Sequence, residues 1–123
     1  MENKDPSRPS KIEVIFYASA AGNEPVREWL KSLEDEDCDA IGQDIKRVQF
    51  GWPIGMPLCR NMGKGIWEVR TTLKNKIARC LFCFHEGEIW LLHGFIKKTQ
   101  QTPNDDIELA IKRKKEIEDG EQT

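Results

Sequence analysis

The sequence predicts a small α+β fold with element order β-α-α-β-β-β-α, a mostly antiparallel sheet carrying a helical hairpin on one face and a helix at its C-terminal end. Three observations predict it. A β-rich run, IEVIFY (12–17), stands ahead of two segments with apolar residues at helical spacing. Three further β-rich runs then follow in quick succession, separated only by short polar turns. A last helical pattern begins after Thr102–Pro103.

Each element has its own signals. After the first strand, Gly22–Asn23 punctuates the chain, and Asn23 is the expected cap of a helix with Glu24 and Pro25 in its first turn. Val26, Trp29, Leu30 and Leu33 give that helix one apolar stripe. The acidic stretch EDEDCD leads into a second helix, with Cys38, Ile41, Ile45 and Val48 on one face and Lys46–Arg47 expected near its C-terminus, as the helix dipole favours. GWPIGMP (51–57) breaks the helix, and a loop is expected to run on to MGKG (62–65). Strands are predicted over about 66–72, 76–84 and 88–96, with turns at Lys74–Asn75 and Glu86–Gly87. Thr102 is the expected cap of the last helix, with Pro103 at its first position. The first strand needs a partner, so it is expected to pair with an edge of the three-stranded meander.

One domain is expected over residues 12–118, with disordered tails at 1–11 and 119–123. Neither a signal-like apolar stretch nor a membrane-length segment is evident, so a cytoplasmic location is expected. The net charge of −2 hides an asymmetry: residues 46–102 hold ten basic residues against three acids. A polyanion senses such a local field rather than the global charge. Lys74 and Lys76 read as turn solvation, and Lys46–Arg47 as helix-end residues, but arginines inside strands need another account.

Cys38, Cys59, Cys80 and Cys83 read as free thiols. Cys80 and Cys83 form a CxxC within a strand, where residues three apart face opposite ways and cannot act together as a redox pair. His85 and His93 do not complete a zinc set, so neither a metal nor a cofactor is expected.

A two-residue turn at Lys74–Asn75 would place Arg70 opposite Arg79, an unfavourable pairing unless an anion lies between them; a one-residue slip of the hairpin would change the opposed residues but keep these two close. On that register one sheet face carries Glu68, Arg70, Arg79, Leu81, Cys83, Trp90 and Leu92. Trp67, Val69, Ala78, Cys80, Phe82, Leu91, His93 and Phe95 are assigned to the other, core-facing side. Lys64, Lys97 and Lys98 are expected to converge on the arginine face. Lysine among cations has a depressed pKa and can transfer protons, while arginine holds phosphate bidentately. The bland alternative makes Glu68 a neutralising partner in an ordinary surface cluster. His93 is read as a core histidine with a secondary candidacy for proton transfer, His85 as solvated, and Trp52 as a plug of the helix–sheet gap rather than a base-stacking platform.

The segments GIWEVR (65–70), KIARCLFCF (76–84) and LLHGFIKKTQQTP (91–103) resemble the phage-derived, HigB-like branch of the RelE/HigB toxins, the similarity running from about Ile12 to Glu118. The resemblance implies a RelE-like fold and an mRNA endoribonuclease, often acting on translating ribosomes and neutralised by a helix-turn-helix, HigA-like antitoxin. It implies catalytic roles for Arg70, Lys97 and Lys98, and RNA-binding roles for Arg79, Lys64 and Arg60. It further implies metal-independent attack of the ribose 2′-hydroxyl on the adjacent phosphate. RelE itself has a tyrosine after the final basic strand, whereas the single tyrosine here is Tyr17, so either a lysine or His93 takes over proton transfer or activity is weakened. Two competing readings use the same basic face: a non-catalytic RNA- or DNA-binding module, and a domain that docks an acidic protein partner.

Overall fold

The computed structural model describes residues 12–56, 58–97 and 101–120. In chain order its elements are β1 (Val14–Phe16), α1 (Pro25–Ser32), α2 (Asp35–Gly51), β2 (Cys59–Gly63), β3 (Ile66–Leu73), β4 (Lys76–His85), β5 (Glu88–Lys97) and α3 (Asn104–Gly120). They build a small α+β structure with one five-stranded sheet of order β1-β5-β4-β3-β2. β1 runs parallel to β5, and every other pair is antiparallel. β1 thus pairs with an edge of the meander, as expected.

The loop expected before the meander contains a strand. β2 pairs with β3 through Cys59↔Val69, Arg60↔Glu68 and Asn61↔Trp67, and Lys64–Gly65 turns the chain with both residues at positive φ. Its sequence, CRNMG, has no β-branched residue, so propensity gives no sign of it. Pairing along β3 supplies the strand instead.

Helices cover both faces of the sheet. Val26 of α1 and Val48 of α2 pack on Val69, Cys80, Phe82, Ile89 and Leu91. On the opposite face, Ala110, Ile111 and Ile117 of α3 pack on Ile66, Leu81, Cys83 and Leu92. Each fully buried Val, Leu, Ile or Phe among them stabilises the fold by roughly 1.5–3 kcal/mol. Cys80 and Cys83 fall in different clusters, on opposite faces, as the strand period requires. Trp52 meets Trp67 and Phe82 edge-on and stacks on Phe84 at 5.8 Å, so it plugs the helix–sheet gap.

The β4–β5 register departs from regular alternation. Leu81 pairs with His93 and Phe82 with Leu91, leaving Leu92 as the extra residue of a β-bulge. The bulge reverses the parity of every later β5 residue. His93 and Phe95, expected on the face of α1 and α2, therefore lie on the α3 face, opposite Leu81 and Arg79. Gly94 takes the inner position instead: a Cβ there would lie 2.2 Å from the Trp29 ring of α1.

Helix ends differ in detail from the sequence reading. The N-cap position of α1 is Glu24 rather than Asn23, and its carboxylate accepts from Arg27 instead of capping the helix. α2 runs to Gly51, so Lys46 and Arg47 lie ahead of its last turn, and Arg47 pairs with Asp44 at 3.0 Å. α3 begins at Asn104 and continues through 119 and 120, past the expected boundary at 118. Among the described residues no helix is long and apolar enough to cross a membrane.

Candidate nucleic-acid interface and catalytic site

The two-residue turn between β3 and β4 sets the site, because it fixes Arg70 directly opposite Arg79. Glu68 lies two residues before Arg70 on the same face, and Arg60 of β2 is its cross-strand partner. α3 begins beside this group and brings Asp106, with Thr102 just ahead of the helix. The cluster so formed sets three arginines against two carboxylates.

Its centre is buried. Glu68 and Arg79 are both 0% exposed. Glu68 accepts from Arg70 Nε through Oε1 at 2.5 Å, and the Thr102 hydroxyl donates a short hydrogen bond to its Oε2. Arg79 Nη1 donates to the same hydroxyl at 3.2 Å. Thr102, expected to cap α3, instead links the two buried charges. A carboxylate thus occupies the position that like-charge repulsion demanded, as the bland reading of Glu68 anticipated. Arg79, expected on an open face as an RNA contact, lies beneath Thr102 and the start of α3. The ordinary pKa of its guanidinium is lowered by burial first, then by Arg70 and Arg60, with Glu68 and Asp106 opposing. An additional anion would relieve that field.

Other members are accessible. The Arg70 side chain is 19% exposed, and Arg60 is exposed on β2. His93 Nε2 lies 2.7 Å from Asp106 Oδ1, and its ring stacks on Phe95 with centroids 5.2 Å apart. With a carboxylate at Nε2, the tautomer favoured by this geometry carries its proton there and presents Nδ1 as the acceptor. Lys97 is exposed and pairs with Ile77, on the side shared by Arg79 and Phe95. Lys98 lies outside the described residues.

Lys64 does not join the arginines. It sits at the β2–β3 turn, up to roughly 20 Å from Arg70 along the strand, and lines a cleft with the first turns of α3. Tyr17 is also remote: its hydroxyl donates to Glu116 at 2.6 Å and Arg113 lies over its ring. The sequence reading missed Asp106 and Thr102. An acid in a first helical turn is explained by the dipole alone, and Thr102 by capping, so neither pointed to the arginines.

The three free cysteines on the strands are inert structural groups. Burial pushes Cys80 up to about 12 and, as the leading cause, Cys59 and Cys83 up to about 11.

No curated protein matches the chain. A family model described as "Phage derived protein Gp49-like (DUF891)" matches residues 28–115, from the middle of α1 to the later turns of α3. The chain belongs to this phage-derived Gp49-like family, a toxin-like family within the RelE/ParE-like toxin superfamily.

Proposed function

We propose that this protein is the toxin of a type II toxin–antitoxin pair, a RelE-like endoribonuclease of the HigB branch. It cleaves mRNA on the ribosome without a metal ion and is held in check by a helix-turn-helix, HigA-like antitoxin. The observation that carries this reading is the β5 bulge: it sets His93, held by Asp106, on the same face as Arg70 and Arg79. A proton acceptor beside phosphate-binding groups is the minimum equipment for 2′-hydroxyl attack.

In the proposed reaction the scissile phosphate meets Arg70, with Arg60 on the flanking strand and Arg79 adding its field from below. His93 Nδ1 takes the proton of the 2′-hydroxyl as that oxygen bonds to phosphorus. Charge on the phosphorane oxygens is stabilised by the guanidinium groups, a contribution of roughly 10²–10³ in rate for a single positioned donor. The bond from phosphorus to the 5′-oxygen breaks, and Lys97 or Lys98 supplies the proton to the leaving oxygen. The products are a 2′,3′-cyclic phosphate and a 5′-hydroxyl.

The burial of Arg79 and the Glu68–Arg70 pair favour a second reading, a non-catalytic RNA- or DNA-binding module in which the cluster mainly holds α3 to the sheet. One experiment separates the two. mRNA is incubated with the purified protein in a translation extract supplied with ribosomes, and the ends of any fragments are mapped. Cyclic phosphate and 5′-hydroxyl ends, lost in His93→Gln and Arg70→Ala, support the nuclease. Intact mRNA with salt-dependent binding supports the module.

A further inference from the structure

A second feature of the basic face lies one step along β2. Met62 belongs to the apolar cluster under α3, so it shares the face on which Arg60 pairs with Glu68. Between the β2–β3 turn and the start of α3 is a cleft of about 350 Å³ lined by Met62, Lys64, Asn104, Ile107, Glu108 and Ile111. That volume is within the roughly 300–1,000 Å³ range of small-ligand sites. Its lining combines three apolar side chains with an amide, a carboxylate and Lys64, whose backbone is left-handed at φ 55°. Arg60 precedes Met62 by two residues on β2 and pairs with Glu68, so the cleft lies beside the arginine cluster.

We propose that this cleft is a base-reading pocket for the RNA strand engaged by Arg70, and that Glu108 makes it select guanine. The inference rests on the proposed RNA-binding function of the arginine face. An unpaired base has an apolar π surface and a hydrogen-bonding edge, which is the combination of Met62, Ile107 and Ile111 with Asn104 and Glu108. A carboxylate accepts only, and guanine presents two adjacent donors, its ring N–H and exocyclic amino group, on its Watson–Crick edge. Adenine and cytosine offer one donor beside an acceptor, and uracil one donor between two acceptors. Lys64 and Arg60 contact the flanking phosphates on either side of the bound base. Asn104 and Glu108 are both exposed, so replacing them does not disturb the core.

The test uses 2′-O-methyl hexanucleotides, which cannot be cleaved by 2′-oxygen attack: hexauridylate, and sets carrying one guanine, adenine or cytosine at each position. Binding is read by fluorescence anisotropy at fixed salt. One position is expected at which guanine binds roughly 10-fold more tightly than uracil, with adenine and cytosine near uracil. Glu108→Gln should reduce that preference to within about 2-fold while hexauridylate binding falls by no more than about 2-fold. A wild-type protein indifferent to base, a preference for another base, or a guanine preference unchanged in Glu108→Gln overturns the pocket. Hexauridylate binding that disappears in Arg70→Ala upholds the underlying function in each of those cases. Absence of any binding by the wild-type protein, or binding unaffected by Arg70→Ala, overturns the pocket, while cleavage in the ribosome-containing translation extract decides the underlying function separately.

Discussion

His93 and Asp106 meet at 2.7 Å because Leu92 is an extra residue in β5. Regular alternation would turn the imidazole toward α1 and α2, away from every carboxylate of the site. In the proposed nuclease His93→Gln should lower kcat by roughly 10²–10⁴-fold, the usual contribution of a positioned general base. Asp106 acts through His93, so Asp106→Asn should lower kcat by at least roughly 10-fold with KM within a factor of about 2. Equal losses in RNA affinity and rate would instead make Asp106 a clamp on α3. Steady-state kinetics on a short RNA, alongside a thermal melt of each variant, distinguish these outcomes.

Glu68 links the facing arginines, accepting from Arg70 and, through the Thr102 hydroxyl, meeting Arg79. Removing it leaves Arg79, at 0% exposure, beside Arg70 without the intervening carboxylate. Glu68→Ala should therefore cost about 3–5 kcal/mol of folding stability, the range for breaking a buried ion pair from one side. Glu68→Leu combined with Arg79→Leu should cost well under the sum of the single changes, because both charges leave together. Urea denaturation of the singles and the double closes the cycle. An additive double variant would show that the two charges do not share a network.

The buried thiols give a pH prediction with a definite sign. The folded chain holds the Cys59, Cys80 and Cys83 protons up to about 11, 12 and 11, whereas an ordinary thiol loses its proton near 9.0. Above about 9 the unfolded state therefore binds fewer protons than the folded state, and stability falls as pH rises from about 9 towards 11. Replacing all three with alanine or valine should flatten this part of the stability–pH curve, whatever it does to stability at neutral pH. At pH 8 the half-buried Cys38 should be alkylated first, with the other three protected until the chain unfolds. Mass spectrometry of timed iodoacetamide reactions reads that order.

Much of the site could be read from local rules, and the remainder depended on tertiary placement. The Arg70–Arg79 pairing followed from a two-residue turn, and the opposed faces of Cys80 and Cys83 from the strand period. The side of the sheet presented by His93 did not, because a single extra residue inverts parity and LLHGF carries no turn signal to announce it. β2 escaped because CRNMG becomes a strand only by pairing with β3. Asp106 and Thr102 were visible only as generic helix-start residues, and their partners lie far away in sequence. Arg79 was placed correctly in register but not in depth, since burial by α3 depends on where a helix about 25 residues later comes to rest.

Gly94 tests the bulge from its other side. Once parity is inverted, Gly94 faces α1, and its backbone lies against Trp29: a Cβ would come within 2.2 and 2.3 Å of two ring carbons and 2.9 Å of a third. A rigid indole cannot fold away as the end of a flexible side chain would. Gly94→Ala should therefore destabilise the protein by roughly 1–3 kcal/mol, the range for overpacking a close-packed interior. Trp29→Leu in the same chain should recover part of that loss, although it is destabilising alone, because the smaller side chain vacates the contested space. Such compensation, measured by urea denaturation, would locate the strain at this contact. A Gly94→Ala protein as stable as the parent would mean that residue 94 does not face α1, and His93 would then lose its place beside Arg79.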